Sequence, residues 1–338
     1  MGTGTTRSPF KWIALTAVAL IVVGVIYERV GERGDSRSIP RVGRSIDIGG
    51  RSINLSCAGN GSPTVILDSG AGEPGYSWTN IQAQLASLTQ VCWFDRAGEG
   101  WSDPGPYPRT CETIAHDLHA VLGRAQVSPP YVYAGHSFGG LDARVYNGLY
   151  PQEIAGMVLI DAAHEDEPRR APKFMLGHTL PRPLWRPLHY VAQGFYRVGL
   201  IRLLKGSPSL PRERQATGSE IVSALRQQPK AVAALADYVA NPEDYAEAAA
   251  SQGMGDKPLI VLTAGRPWPP SGNAEIDREA AAYKRAWIHE IQPKLLRLST
   301  RGKQIVVTSS GHGIPDEAPD VVVNAIREVV RQARADSN

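Results

Sequence analysis

The chain has 338 residues, 42% of them apolar, and a formal charge of +3. That length fits one α/β domain with insertions and enough apolar content to bury a core. Acidic and basic residues are mixed and no long basic block occurs, which argues against a nucleic-acid partner.

Residues 1–11 form a short basic leader, in which Arg7 and Lys11 precede an uncharged stretch, Trp12–Tyr27. This stretch is slightly short for a comfortable span and long for a signal-peptide core. No small-x-small cleavage site follows it. It reads as an uncleaved membrane anchor, with a cleaved secretion signal and a buried helix as the alternatives. Arg29, Arg33, Arg37, Arg41 and Arg44 come after it, and the positive-inside rule does not favour exporting that side. A short leader before an N-terminal anchor favours export, and the reading leans to a single-pass membrane protein with an extracytoplasmic catalytic domain. Residues 28–41 read as a linker.

Around Gly49-Gly50, alternating apolar and polar residues predict two strands joined by a two-residue turn. Buried strands are expected at "PTVILDSG", "QVCWFDRAG", "PPYVYAG", "IAGMVLIDA", "KPLIVLTAG" and "KQIVVTSSG", with helical segments between most of them. The alternation predicts a mostly parallel sheet covered on both faces. It breaks from about Ala163 to Asp256, where the composition is helical, so residues 163–256 read as a helical insertion between core segments 42–162 and 257–335. Residues 275–299 read as one long helix, and Pro319 opens the last one. The three cysteines, Cys57, Cys92 and Cys111, contain no CxxC pair and give no support for zinc. They are either one disulfide plus a free thiol or three buried small hydrophobes.

The chemistry centres on Gly135-His136-Ser137-Phe138-Gly139, between a strand and a helix. A turn this sharp needs neighbours without side chains and projects the central hydroxyl at a helix N-terminus. Ser137 therefore reads as a nucleophile, against the alternative of a polar residue in a structural turn. A serine needs a base. His312, in a glycine-flanked loop after the last strand, lies where parallel sheets place ligand sites. His136 reads as packing under the turn.

The chain resembles an α/β-hydrolase-fold serine hydrolase of the capped esterase/lipase group over about Val42–Arg334. The resemblance is carried by "GHSFGG", "DRAGEGWSDPG" and "GHGIPDEAPDVVVNAI". It implies an eight-stranded, mostly parallel sheet with a helical cap after strand six, a small-molecule acyl substrate, and no metal or organic cofactor. It also implies two oxyanion donors, the backbone N–H groups of Phe138 and of Ala71; Ser69-Gly70-Ala71 stands where relatives often have His-Gly-x. The acid that orients the histidine usually follows strand seven, but that loop offers Arg266, Pro267 and Trp268, with Glu275 and Asp277 arriving late. Some relatives use the end of strand six, where Asp161 stands. Asp161 is the acid chosen, with Glu275, Asp277, Glu165 and Asp166 left open. Asp95 is expected to organise its loop; Trp101 and Tyr76 line either the pocket or the core. The expected reaction is hydrolysis of carboxylic esters through an acyl-enzyme. Amide, thioester or carbon–carbon bond hydrolysis and a non-catalytic binding module are the alternatives. A serine nucleophile argues against the aspartate-based chemistry of haloalkane dehalogenases and epoxide hydrolases.

Overall fold

The computed structural model describes residues 9–172, 190–191, 193–206, 210, 215–240 and 243–336. Among them, eight strands form one sheet: β1 (Arg44–Asp47), β2 (Ser52–Ala58), β3 (Thr64–Asp68), β4 (Val91–Asp95), β5 (Tyr131–His136), β6 (Ile154–Ile160), β7 (Leu259–Ala264) and β8 (Gly302–Val307). Their order is β1-β2-β4-β3-β5-β6-β7-β8. The β1–β2 and β2–β4 pairs are antiparallel and the rest are parallel. This is the mostly parallel eight-stranded sheet expected. Strands β3, β4, β5 and β7 are buried at every position, as unbroken apolar runs covered on both faces should be. Gly49 and Gly50 turn the chain between β1 and β2 at φ +110 and +87, and Asp47 Oδ1 accepts both of their N–H groups. Pairing of β2 with β4 sets Cys57 opposite Cys92. These two form a disulfide, and Cys111 is free and buried.

The helices are α1 (Pro9–Ser38), α2 (Thr79–Leu85), α3 (Cys111–Arg124), α4 (Gly139–Leu149), α5 (Glu167–Arg170), α6 (Leu200–Lys205), α7 (Gly218–Arg226), α8 (Pro229–Ala240), α9 (Glu243–Ala250), α10 (Ala274–Ala286), α11 (Ile314–Glu317) and α12 (Pro319–Asp336). Alternate strand residues face opposite ways. Ile66, Phe94, Tyr133 and Leu159 pack with α3 and α4. Val65, Trp93, Val132 and Ile160 pack with α2 and α12. Each fully buried aliphatic side chain of this kind contributes about 1.5–3 kcal/mol.

The segment read as one long helix is not one. Helix α10 stops at Ala286, a π-helical turn follows over Trp287–Ile291, and a 3₁₀ turn over Gln292–Leu298. Between β6 and β7 the described residues hold no strand and include α5 to α9. Part of this insertion seats on the N-terminus of α3. Asp237 accepts from the Arg109 N–H (2.6 Å), Asp244 from Cys111 (2.8 Å) and Glu247 from Glu112 (2.8 Å). The first N–H groups of a helix lack intrahelical partners and carry its positive end, so carboxylates suit them. At the other end of the chain, α1 contains a 25-residue stretch, Lys11–Asp35, within which an 18-residue window has a mean hydropathy of 2.1. It is long and apolar enough to cross a membrane.

Candidate active site

Strand β5 delivers Ser137 at φ +52, in the left-handed region that costs a non-glycine residue strain. The turn is held by its neighbours: the Ser137 N–H donates to the Ile160 carbonyl (3.0 Å) and the Ala163 N–H to the Ser137 carbonyl (2.9 Å). The flanking glycines are required by contact. A side chain at Gly135 would stand 2.2 Å from the Gly139 carbonyl oxygen, and one at Gly139 2.7 Å from the Asp68 carbonyl oxygen. Any Cβ there would force the strand and helix apart.

His312, in the loop between β8 and α11, places Nε2 3.0 Å from Ser137 Oγ. Its Nδ1 lies 2.7 Å from Asp161 Oδ2. Asp161 follows β6 at φ +41 and is 3% exposed. Its other oxygen, Oδ1, accepts from the Ala264 N–H (2.9 Å) and the Trp287 indole N–H (2.7 Å). Burial works to raise the Asp161 pKa, but hydrogen bonds from His312, Trp287 and Ala264 outweigh it and hold the carboxyl below its usual range. For His312 burial works downward. The bond to Asp161, its charge, and the carboxylates of Glu167 and Glu73 outweigh burial and raise the imidazole above its ordinary value.

The other candidate acids are occupied elsewhere. Glu165 pairs with Arg144, Asp166 with Lys294, and Asp277 accepts from Ser271. Glu275 caps nothing near His312; its own N–H donates to Asn273 at the start of α10. His136 is not merely packed under the turn. Its Nε2 lies 2.9 Å from the His312 carbonyl oxygen, and its ring centre is 4.9 Å from the His312 ring. It ties the His312 backbone to the serine's own strand.

Ala71 lies in the loop after β3. Neither its N–H nor that of Phe138 has an acceptor among the described residues. The loop is clamped from β4's far end by two residues that the sequence reading passed over within "DRAGEG". Arg96 donates to the carbonyls of Ser69 and, at 3.1 Å, Gly70. Glu99 accepts from the Gly72 N–H (3.0 Å). These bonds fix the backbone on either side of Ala71. Arg96 is buried and also meets Asp68 (2.7 Å) and Asp142 (2.9 Å). Burial drives all three carboxyls upward against the pull of Arg96, Glu99 to about 7. Asp95 orders the same loop, accepting from Gly75, Trp101 and Asn54. Trp101 is core: it is buried and donates to the Ile39 carbonyl. Tyr76 packs edge-on against it.

The insertion between β6 and β7 reaches this site. The Tyr238 ring lies 5.0 Å from that of Phe138, and Leu235 sits beside Gly72. Cys111, Asp244 and Glu247 converge closely enough to suggest a metal. Asp244 and Glu247 each already spend an oxygen on α3's N–H groups, and burial keeps the Cys111 thiol protonated. This cluster reads as a helix cap.

A sheet of this order, with serine, histidine and aspartate at the carboxyl ends of β5, β8 and β6, defines a fold class. Residues 63–251, more than half of the chain, match the family profile described as alpha/beta hydrolase fold, and the chain belongs to that family. It is 27% identical over 154 residues to the uncharacterized protein YbdG of Bacillus subtilis, covering 44% of this chain and 47% of that one. The chain thus spans about half of that relative. It is 23% identical over 288 residues to an AB hydrolase superfamily protein of Gibberella zeae, covering 80% and 87%. A thermophilic esterase from Thermogutta terrifontis superposes with a TM-score of 0.55 at 23% identity, covering 87% of this chain and 99% of that one. That likeness is one of fold.

Proposed function

We propose that this chain is a membrane-anchored serine hydrolase of carboxylic esters. The observation that carries the reading is the continuous chain of hydrogen-bonding distances from Ser137 Oγ to His312 Nε2 (3.0 Å) and from His312 Nδ1 to Asp161 (2.7 Å). In this reading, Ser137 Oγ attacks the acyl carbon while its proton passes to His312 Nε2. Asp161 fixes the tautomer and stabilises the imidazolium. The carbonyl oxygen becomes an oxyanion held by the N–H groups of Ala71 and Phe138. Removing one such donor typically costs about 100- to 1000-fold in rate. The intermediate collapses, the alcohol leaves with the proton from His312, and water repeats the cycle on the acyl-enzyme.

The domain boundaries follow the same reading: leader 1–11, anchor 12–27, connecting residues 28–41, hydrolase core 42–162 and 257–335, and cap 163–256. The Cys57–Cys92 disulfide supports an extracytoplasmic core, since disulfides persist in oxidising compartments. A fluorophosphonate probe tests the reading. Wild-type protein should label; Ser137→Ala should not, and Asp161→Asn should label more slowly. A folded wild type that takes up no probe would sink the proposal.

A further inference from the structure

The apolar part of α1 does not stand alone. From Gly24 onward it packs against the cap insertion. A side chain at Gly24 would stand 2.4 Å from the Val198 carbonyl oxygen, and one at Gly31 2.4 Å from Arg202 Nε. At Gly24 the obstacle is backbone, so there only glycine lets the two segments lie this close. Arg202 is 2% exposed. It donates to Glu28 from Nε (3.0 Å) and Nη2 (2.8 Å) and lies 2.8 Å from Asp35. Glu28 and Asp35 are themselves buried. Gly24 to Gly31 is about 10 Å of helix rise. The cap therefore contacts α1 over nearly two turns, and the first contact lies inside the uncharged stretch that ends at Tyr27.

This cap segment exposes large apolar side chains. Tyr190 is 61% exposed, Val191 53%, Phe195 46%, Leu203 69% and Leu204 72%. Tyr190, Val191 and Phe195 are helical, and the helical residues give way to a turn at Val198 and Gly199, at the Gly24 contact. Exposed apolar patches of this kind mark interaction surfaces. The adjoining surface of α1 is equally apolar, with Val23 62% and Ile26 56% exposed. Just past it, Arg29 and Arg33 are exposed one turn apart, placed for anionic headgroups.

We propose that cap residues 190–191 and 193–206 lie in the membrane interface beside α1, with the boundary between headgroups and acyl chains of a lipid bilayer as the partner of their exposed apolar side chains. The inference rests on the reading of α1 as an anchor. The Arg202 clamp sets the depth: it fixes Val198 and Gly199 at the level of Gly24 to Glu28, and so places Phe195 against the hydrocarbon edge and Leu203 and Leu204 nearer the headgroups. An amphipathic surface inserts in this way when its apolar face and neighbouring basic residues match the boundary.

The test uses the full chain in phosphatidylcholine–phosphatidylglycerol vesicles. Single cysteines are introduced as Val18→Cys, Phe195→Cys, Leu204→Cys and Leu149→Cys and labelled with an environment-sensitive fluorophore. Cys57 and Cys92 are disulfide-bonded and Cys111 is buried, so the new thiol takes the label. Labels at 18, 195 and 204 should shift to the blue and be quenched by spin-labelled lipid; the label at 149, on the core, should be quenched by aqueous iodide. Lipid quenching at 18 with iodide quenching at both 195 and 204 overturns the proposal and leaves the anchor standing. Iodide quenching at 18 overturns the anchor and the proposal together. Fluorophosphonate labelling of the same samples reports the hydrolase reading separately. A cap variant that loses it while wild type keeps it is replaced by Tyr190→Cys or Val191→Cys.

Discussion

The indole N–H of Trp287 donates to Asp161 Oδ1 at 2.7 Å, on the oxygen opposite the one that faces His312. A π-helical turn aims it there, and such turns concentrate at functional sites. The carboxylate is thereby held from both sides, so in the proposed mechanism Trp287 positions His312 through Asp161. In Trp287→Phe a smaller aromatic ring remains and the donor goes. A hydrogen bond to a charged group is worth about 1.5–3 kcal/mol, so kcat/KM should fall roughly tenfold or more, with the pH profile displaced. A wild-type rate and profile in this variant would remove Trp287 from the site.

Burial lowers His312, but interactions with Asp161, Glu167 and Glu73 outweigh it and raise the imidazole. In the proposed mechanism the base works as neutral imidazole, so kcat/KM for the proposed hydrolysis should climb with pH through an apparent pKa above the ordinary histidine value. Asp161→Asn should lower that pKa and cut kcat by about 1000- to 10,000-fold. Stability has its own signs. The raised His312 contributes most below its unfolded pKa, and that contribution is lost as pH rises through the folded value. The lowered Asp161 contributes above its unfolded pKa and loses that as pH falls through the folded one. A profile rising below the ordinary histidine pKa would contradict this account.

Arg96 pairs with Asp68, Asp142 and Glu99 in a buried cluster. Arg96→Met should destabilise the fold by about 3–5 kcal/mol, the usual result of removing one side of a buried pair. Chemical denaturation measures it. Glu99→Gln should be milder in stability, since an amide oxygen still accepts from Gly72. A midpoint unchanged in Arg96→Met would show that the carboxyls are neutral without it.

Asp237, Asp244 and Glu247 fasten the insertion to the start of α3. Replacing Asp237 and Asp244 by alanine strands the N–H of Arg109 just before the helix and that of Cys111 in its first turn, the latter worth about 0.5–2 kcal/mol as a cap. Hydrogen exchange should rise over 229–250 and at the first turn of α3, and stay unchanged in α12. Exchange rising equally in α12 would mean global weakening instead.

Thiol titration checks the cysteines. Native protein should show no reactive thiol, and unreduced denatured protein one, from Cys111. Three thiols on denaturation would rule out the disulfide.

The sheet was legible because its strands are buried on both faces and announce themselves as apolar runs between glycines. Ser137 and His312 were legible because their spacing to those strands is local. Asp161 stood out only as a carboxylate at a strand end, and its competitors Glu165, Asp166 and Asp277 could be dismissed only once Arg144, Lys294 and Ser271 were found holding them. Trp287 was hidden because helical periodicity continues smoothly through "AWIHEI", with nothing to mark a widened turn. The disulfide was open because β2 neighbours β4, not β3, and that pairing depends on the whole sheet. His136 is buried as read, but side-chain alternation tells which way a residue points and not that the His312 carbonyl comes to meet it.

His312 follows Ser137 by 175 residues, and its loop is closed by α11 and α12 at the end of the chain. During synthesis, then, Ser137, Asp161 and the insertion between β6 and β7 are made well before His312. Until β8 and the loop after it have been made, the Ser137 hydroxyl sits in its turn with no imidazole beside it. Order along the polypeptide thus lets the proposed nucleophile and base meet only when the last strand joins the sheet.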